Sequence, residues 1–181
     1  MNATTSKIPS PAADLRRAKK LLADNPDLVR RVINIAEGSD RYLQTPICTA
    51  REAHAAFLGR LDGLVNEELH AMYVDHRNQV IAIEQLTVGS ARFTVVDPRQ
   101  IFEPAVRLRA AAVVLAHNHP SGDPTPSAQD REVTRRVVAA GRVLAITLLD
   151  HLVIGSAGWI SMRESGDMDP SDPSAGSMWT S

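Results

Sequence analysis

The chain has 181 residues and a formal net charge of −1, with 20 Lys and Arg against 21 Asp and Glu. A balance this even argues against a dedicated nucleic-acid binder, which carries a strong basic excess, although it leaves room for a local basic patch. The 44% hydrophobic content suits one soluble domain with tails, and with aromatics at only 4% its core must be built mainly of Val, Leu, Ile and Ala. The single cysteine, Cys48, excludes an internal disulfide and reads as a small buried apolar residue. No apolar run is long enough to span a membrane, and the N-terminus lacks the apolar centre of a signal peptide. These features together set the expectation of a cytoplasmic protein.

Residues 1–11 are rich in Ser, Thr and Pro and read as disordered. Residues 12–44 read as a helical lead-in. A first helix over residues 14–23 places Leu15, Ala18, Leu21 and Leu22 on one face. A second over residues 26–37 carries Leu28, Val32, Ile35 and Ala36, with Pro26 in its first turn and Gly38 past its end. Their basic clusters, Arg16-Arg17-Ala18-Lys19-Lys20 and Arg30-Arg31, could meet phosphates or could form a solvated face. The main domain is expected over residues 45–163. Thr49 can cap a helix running to about Leu64, with Ala53, Ala56, Phe57, Leu61 and Leu64 inward and His54 at its edge. Residues 67–75 read as a strand, 75–78 as a turn, 79–88 as the return strand and 91–96 as a further strand. Asp97 and Pro98 open a helix to about Arg109, with Glu103 exposed on it.

Ala110 to Ala116 is an unbroken apolar run, which reads as a buried strand. It ends in His117-Asn118-His119-Pro120-Ser121-Gly122-Asp123-Pro124-Thr125-Pro126-Ser127-Ala128-Gln129-Asp130. Alternate residues of a strand share a face, so His117 and His119 can converge. Three prolines stiffen the loop, and Ser127 is a plausible helix N-cap that sets Asp130 in the first turn, facing back. Two imidazoles and a carboxylate form a three-donor set with a fourth position left for water, the catalytic rather than the structural pattern for zinc. Taken singly, each residue also has a structural use: strand-end hydrogen bonding for the histidines, and complementing the helix dipole for Asp130. The motif helix is expected from Ser127 to about Ala140, with Gly141 as its stop. Strands follow over 143–149 and 152–155, separated by Asp150-His151, then a last short strand over 159–162. Residues 164–181 read as a disordered tail. Strands alternating with helices imply a mixed sheet flanked by helices.

This stretch resembles the metal motif of the JAB/MPN family, also called JAMM: His-x-His-Pro followed by Ser-x-x-Asp. It looks most like the RadC-type branch. Asp97-Pro98-Arg99-Gln100-Ile101-Phe102 and Leu149-Asp150-His151-Leu152-Val153-Ile154-Gly155 match that branch as well, so the resemblance covers about residues 46–165. It implies a cytidine-deaminase-like α/β/α sandwich in which His117, His119 and Asp130 ligate Zn2+ and Ser127 helps to hold a tetrahedral intermediate. It also implies an upstream glutamate acting as general base. Counting back from Asp75 gives Glu67, with Glu68 adjacent. His70 could approach the metal, and His151 could support the site from behind.

The expected activity is therefore zinc-dependent hydrolysis of a peptide or isopeptide bond in a substrate that the sequence does not name. Two rivals stand beside it. One is a RadC-like DNA-repair factor or nuclease, which the net charge does not support, and which is further weakened because the helix-hairpin-helix module common in full-length RadC-type proteins lacks its Gly-Ile-Gly-type hairpin here. The other is a non-catalytic binding module on the same fold. Neither substrate nor oligomeric state can be read from the residues.

Overall fold

The computed structural model describes residues 46–88 and 96–168. The lead-in helices, the strand expected over 91–96 (except Val96, which is buried) and the tail beyond 168 lie outside the described residues. The described chain forms α1 (Ala50–Phe57), β1 (Glu68–Val74), β2 (Val80–Val88), α2 (Pro98–Arg107), β3 (Ala112–Asn118), α3 (Ala128–Leu144), β4 (Thr147–Gly155) and β5 (Gly158–Ser161).

The strands make one five-stranded mixed sheet in the order β2-β1-β3-β4-β5. β1 is antiparallel to both β2 and β3, β3 is parallel to β4, and β4 is antiparallel to β5. Period-two alternation sorts the side chains between two cores. Leu69, Ala71, Tyr73, Val113 and Leu115 face the α2 and α3 side, packing with Ile101, Phe102, Val133 and Val137. Met72, Val74, Ala112, Val114 and Ala116 face α1, packing with Ala50, Ala53 and Phe57. The helix-flanked mixed sheet expected from the sequence is the observed fold, and its central strand β3 is buried along its whole length.

Local chemistry explains the helix starts. Thr49 and Glu52 form a capping box at α1, and Asp97 accepts from the Arg99 N–H at the start of α2, with Pro98 just inside. Three boundaries differ from the sequence reading. First, α1 stops at Phe57, well before Leu64, where the chain enters turns with Gly59 at φ 87° and Gly63 at φ 69°; Leu61 and Leu64 still pack inward. Second, Gly141 does not end α3. The helix runs on to Leu144, and Ala145 takes the left-handed cap at φ 54°.

Third, β4 is one strand, not two separated by Asp150-His151. The polar pair reads as a break, but both side chains are buried and partnered. Asp150 accepts from the backbone N–H of His151 (2.7 Å) and of Arg163 (3.1 Å) and from the Ser161 hydroxyl (2.5 Å). The pairing of β4 with β3 slips here, from Val113 opposite Leu148 to Val114 opposite Asp150. The slip inserts one extra residue, a bulge that reverses which face the following side chains meet. It turns His151 to the side of the sheet on which His117 lies. Packing also continues past residue 163: Met168 is buried, its N–H donates to the Met162 carbonyl (3.0 Å), and Asp167 pairs with Arg131 (2.7 Å). Residues 164–168, expected in the tail, therefore belong to the packed domain. Among the described residues no helix is long and apolar enough to cross a membrane.

Candidate metal centre

β3 delivers His117 at its C-terminal end, fully buried, and the chain keeps its line past the strand because the His119 N–H donates to the Ile154 carbonyl on β4 (2.7 Å). Both rings therefore lie on one side, with Nε2 of His117 and Nε2 of His119 3.0 Å apart. The loop that returns to α3 is held tightly. The Gly122 N–H donates to the His119 carbonyl (2.9 Å), and Asp123 caps its own turn through the Thr125 N–H (2.9 Å). Gly122 has φ 87°, a conformation that favours glycine, and a Cβ on Gly155 of β4 would collide with the Gly122 carbonyl. The loop lies so close to β4 that only glycine fits at 155.

At the start of α3, Ser127 and Asp130 form a reciprocal cap. Asp130 N–H donates to Ser127 Oγ (3.2 Å), and Ser127 N–H donates to Asp130 Oδ2 (2.6 Å). That bond fixes the Asp130 rotamer. Its Oδ1 then lies 3.3 Å from His117 Nε2 and its Oδ2 3.5 Å from His119 Nε2. Glu67, just ahead of β1, brings Oε1 to 4.0 Å from His119 Nε2. Glu67, His117, His119 and Asp130 each offer one donor atom, all within 4.8 Å of one another, and this cluster could hold a metal ion.

The electrostatics match the geometry. Burial alone would raise the Asp130 carboxyl, but hydrogen bonds from His117, His119 and Ser127 hold it far below the carboxylate range, so it is ionised. The Asp130 bond also raises His119 against the opposing effect of burial. Burial pushes Glu67 up, with the two histidines opposing and Asp130 reinforcing the shift. Burial and the neighbouring His117 push His151 down to about 3, which keeps it neutral.

The remaining candidates separate clearly. Ser127 is exposed at the rim, and its oxygen accepts from Asp130 N–H. Glu68 turns away from the cluster to His70 Nε2 (3.0 Å) and the Gln85 amide (2.5 Å), and His70 stays outside with it. His54 stacks on Trp159 at 4.7 Å. Glu103 is exposed beside Arg107, and Cys48 is half-buried with its sulfur 3.7 Å from the Asn78 amide. His151 stands behind His117, Nε2 to Nδ1 at 2.9 Å. Two contributors were not identified from the sequence. Thr134 bonds His151 from α3 (2.7 Å), and Asn118 holds the residues on either side of Glu67. Thr134 sits one helical turn after Asp130, a spacing that puts it on the same face.

The fold and the donor cluster define an α/β domain with a candidate metal centre at the end of a buried central strand. Residues 47–167 match the RadC-like JAB domain, and the chain belongs to that family, as its motifs imply. Among its relatives, a UPF0758 protein of Symbiobacterium thermophilum is 48% identical over 120 residues, covering 66% of this chain and 51% of that one. A UPF0758 protein of Caldanaerobacter subterraneus subsp. tengcongensis is 44% identical over 143 residues (79% and 60%). A third, from Listeria monocytogenes, is 37% identical over 152 residues (84% and 66%). The chain thus spans between half and two thirds of the length of these relatives.

Proposed function

We propose that this domain is a zinc-dependent hydrolase of amide bonds, acting on a peptide or isopeptide substrate. The observation that carries the reading is the convergence of two imidazole nitrogens and an ionised carboxylate on one point, with a second carboxyl, shifted upward, beside them. The donor set suits zinc. A tetrahedral ion with bonds of about 2.0–2.1 Å separates its donor atoms by roughly 3.3 Å, and the three separations of 3.0, 3.3 and 3.5 Å bracket that value. His117, His119 and Asp130 would hold it.

When bound, zinc supplies Lewis acidity, polarising a scissile carbonyl and bringing the pKa of water from 15.7 to about 7. Glu67 is placed to take the proton of the attacking water and to return it to the leaving amine. Its upward shift brings it nearer to neutrality, where general acid–base exchange is most efficient. The Ser127 hydroxyl, tied by its oxygen to Asp130 N–H, donates its proton to the substrate oxygen as charge develops there.

Metal analysis of the purified full chain tests the site. It should show about one zinc ion per chain, as expected of a mononuclear catalytic site, lost in His119→Ala and Asp130→Ala without unfolding. On a panel of peptide and isopeptide substrates, Glu67→Gln should keep the zinc and lose hydrolysis by about 10²–10⁴-fold. Full activity in zinc-loaded Glu67→Gln would refute the assignment of the base. A wild-type chain that takes up no zinc would refute the whole reading.

A further inference from the structure

We propose that His151 and Thr134 are positioning residues that hold a proton on His117 Nδ1, so that Nε2 is the nitrogen His117 offers to the metal position. The inference rests on the metal-site reading above and extends it to two residues that touch neither the ion nor the substrate.

The argument is a count of protons along a buried line. Thr134 Oγ1 lies 2.6 Å from the Asp130 carbonyl and 2.7 Å from His151 Nδ1. A carbonyl only accepts, so the single hydroxyl proton of Thr134 lies between Thr134 and Asp130. The Met162 sulfur, at 3.5 Å, is a weak and distant competitor for that proton. Towards His151 the Thr134 oxygen can therefore only accept, and His151 Nδ1 must carry a proton. His151 is 1% exposed and lies between a hydroxyl and another imidazole, with no carboxylate bonded to either nitrogen. A second proton would bury an unpaired charge, so Nε2 of His151 holds a lone pair. His117 Nδ1, 2.9 Å away, must then be the donor. With Nδ1 committed as a donor, the nitrogen that His117 can offer to a metal ion is Nε2, 3.3 Å from Asp130 Oδ1 and 3.0 Å from His119 Nε2.

His119 reaches the same state by a simpler route, because its Nδ1 donates directly to the Asp123 carbonyl (2.7 Å). The two rings are thus set by independent partners to offer the same nitrogen, Nε2, to the metal position. The line that sets His117 closes on the ligand set itself: the Asp130 side chain faces the metal position, and its main-chain carbonyl orients Thr134. The bulge in β4 is what makes this possible, since strict alternation would turn His151 to the opposite face.

The test uses the full chain with histidine labelled at the ring nitrogens. In the zinc-free wild type at neutral pH, NMR should show His117 and His151 both protonated at Nδ1. Zinc affinity, read by competition with a chromophoric chelator, should fall by about 10–100-fold in Thr134→Val, the range seen when partners behind a metal ligand are removed. In that variant the His117 resonances should report mixed tautomers. Thr134→Ser, which keeps the hydroxyl, should restore both. A wild-type His117 without a proton on Nδ1 would overturn the proposal, and that measurement needs no variant to fold. Unchanged tautomers and affinity in Thr134→Val would overturn it as well. If the wild type bound no zinc, the hydrolase reading would fail, while the wild-type tautomers would still decide this one.

Discussion

Asn118 lies between the two clustered histidines in sequence but points to the other face of the sheet, where it is 4% exposed. Its side-chain oxygen accepts from the Glu68 N–H (2.8 Å), and its amide donates to the Asn66 carbonyl (3.0 Å). These two residues flank Glu67, so the strand that carries His117 also holds the segment that carries Glu67. Asn118→Ala removes both bonds and leaves an N–H and a carbonyl without their partner. The expected loss is about 1–3 kcal/mol in urea unfolding, the cost of stranding buried polar groups. Zinc content should stay at the wild-type level, since His117, His119 and Asp130 are untouched. Turnover should fall through kcat more than KM, because Glu67 loses its placement but the substrate contacts remain. A variant as stable and as active as the wild type would remove Asn118 from the account. The grouping of His117, His119 and Asp130 was legible because its logic is local: i and i+2 on a strand, and a cap with its partner three residues on. The hold of Asn118 on residues 66 and 68 spans some fifty positions, and no short-range pattern signals it. Thr134 was invisible for a different reason. A threonine on a helix face has many ordinary uses, and only the position of His151 singles it out.

At the scale of elements, two of the three misreadings share one cause: residues that locally break structure were held in place by tertiary partners. Asp150-His151 interrupts an apolar pattern, yet partners on β3, α3, β5 and the turn after β5 carry the strand through. Gly141 looks like a helix stop, yet it sits inside α3 because a side chain there would strike the Ile146 carbonyl and crowd Phe102 at 3.2 Å. The turn after α3 folds back closely enough for the Ile146 N–H to donate to the Gly141 carbonyl (3.0 Å). This decides the sign of a common substitution. In an open helix, Gly→Ala gains about 1 kcal/mol of propensity. At 141 the added methyl must displace backbone, an overpacking cost of roughly 1–3 kcal/mol, so the packing loss prevails. Gly141→Ala should lower the melting temperature, and a stabilised variant would mean that the residue 145–146 turn yields easily. The helix starts were read correctly from Thr49, Asp97 and Ser127, because capping depends on side chains within the first turn.

For the molecule as a whole, the class of fold was legible, since strands alternating with amphipathic helices leave few arrangements other than a helix-flanked sheet. The strand order was not, because it depends on pairings between distant segments: β1 sits beside β3, not only beside its hairpin partner β2. That order has a thermodynamic consequence. It places Glu67 ahead of β1, His117 and His119 at the end of β3, and Asp130 on α3, so the donor cluster joins three elements that the apolar cores hold from either side. An ion bound there is a cross-link present only in the folded state. Zinc at 100 times its dissociation constant should then add about 2.7 kcal/mol to stability. For a domain of this size that is a rise in melting temperature on the order of 10 °C. The rise should disappear with a chelator and be absent in His119→Ala, while Glu67→Gln should keep most of it, since Glu67 stands beside the three-ligand set. A rise of the same size in His119→Ala would place the stabilising ion elsewhere on the chain. A full rise in the wild type that vanished in Glu67→Gln would make Glu67 a ligand instead of a base, and the proton transfer would need another group.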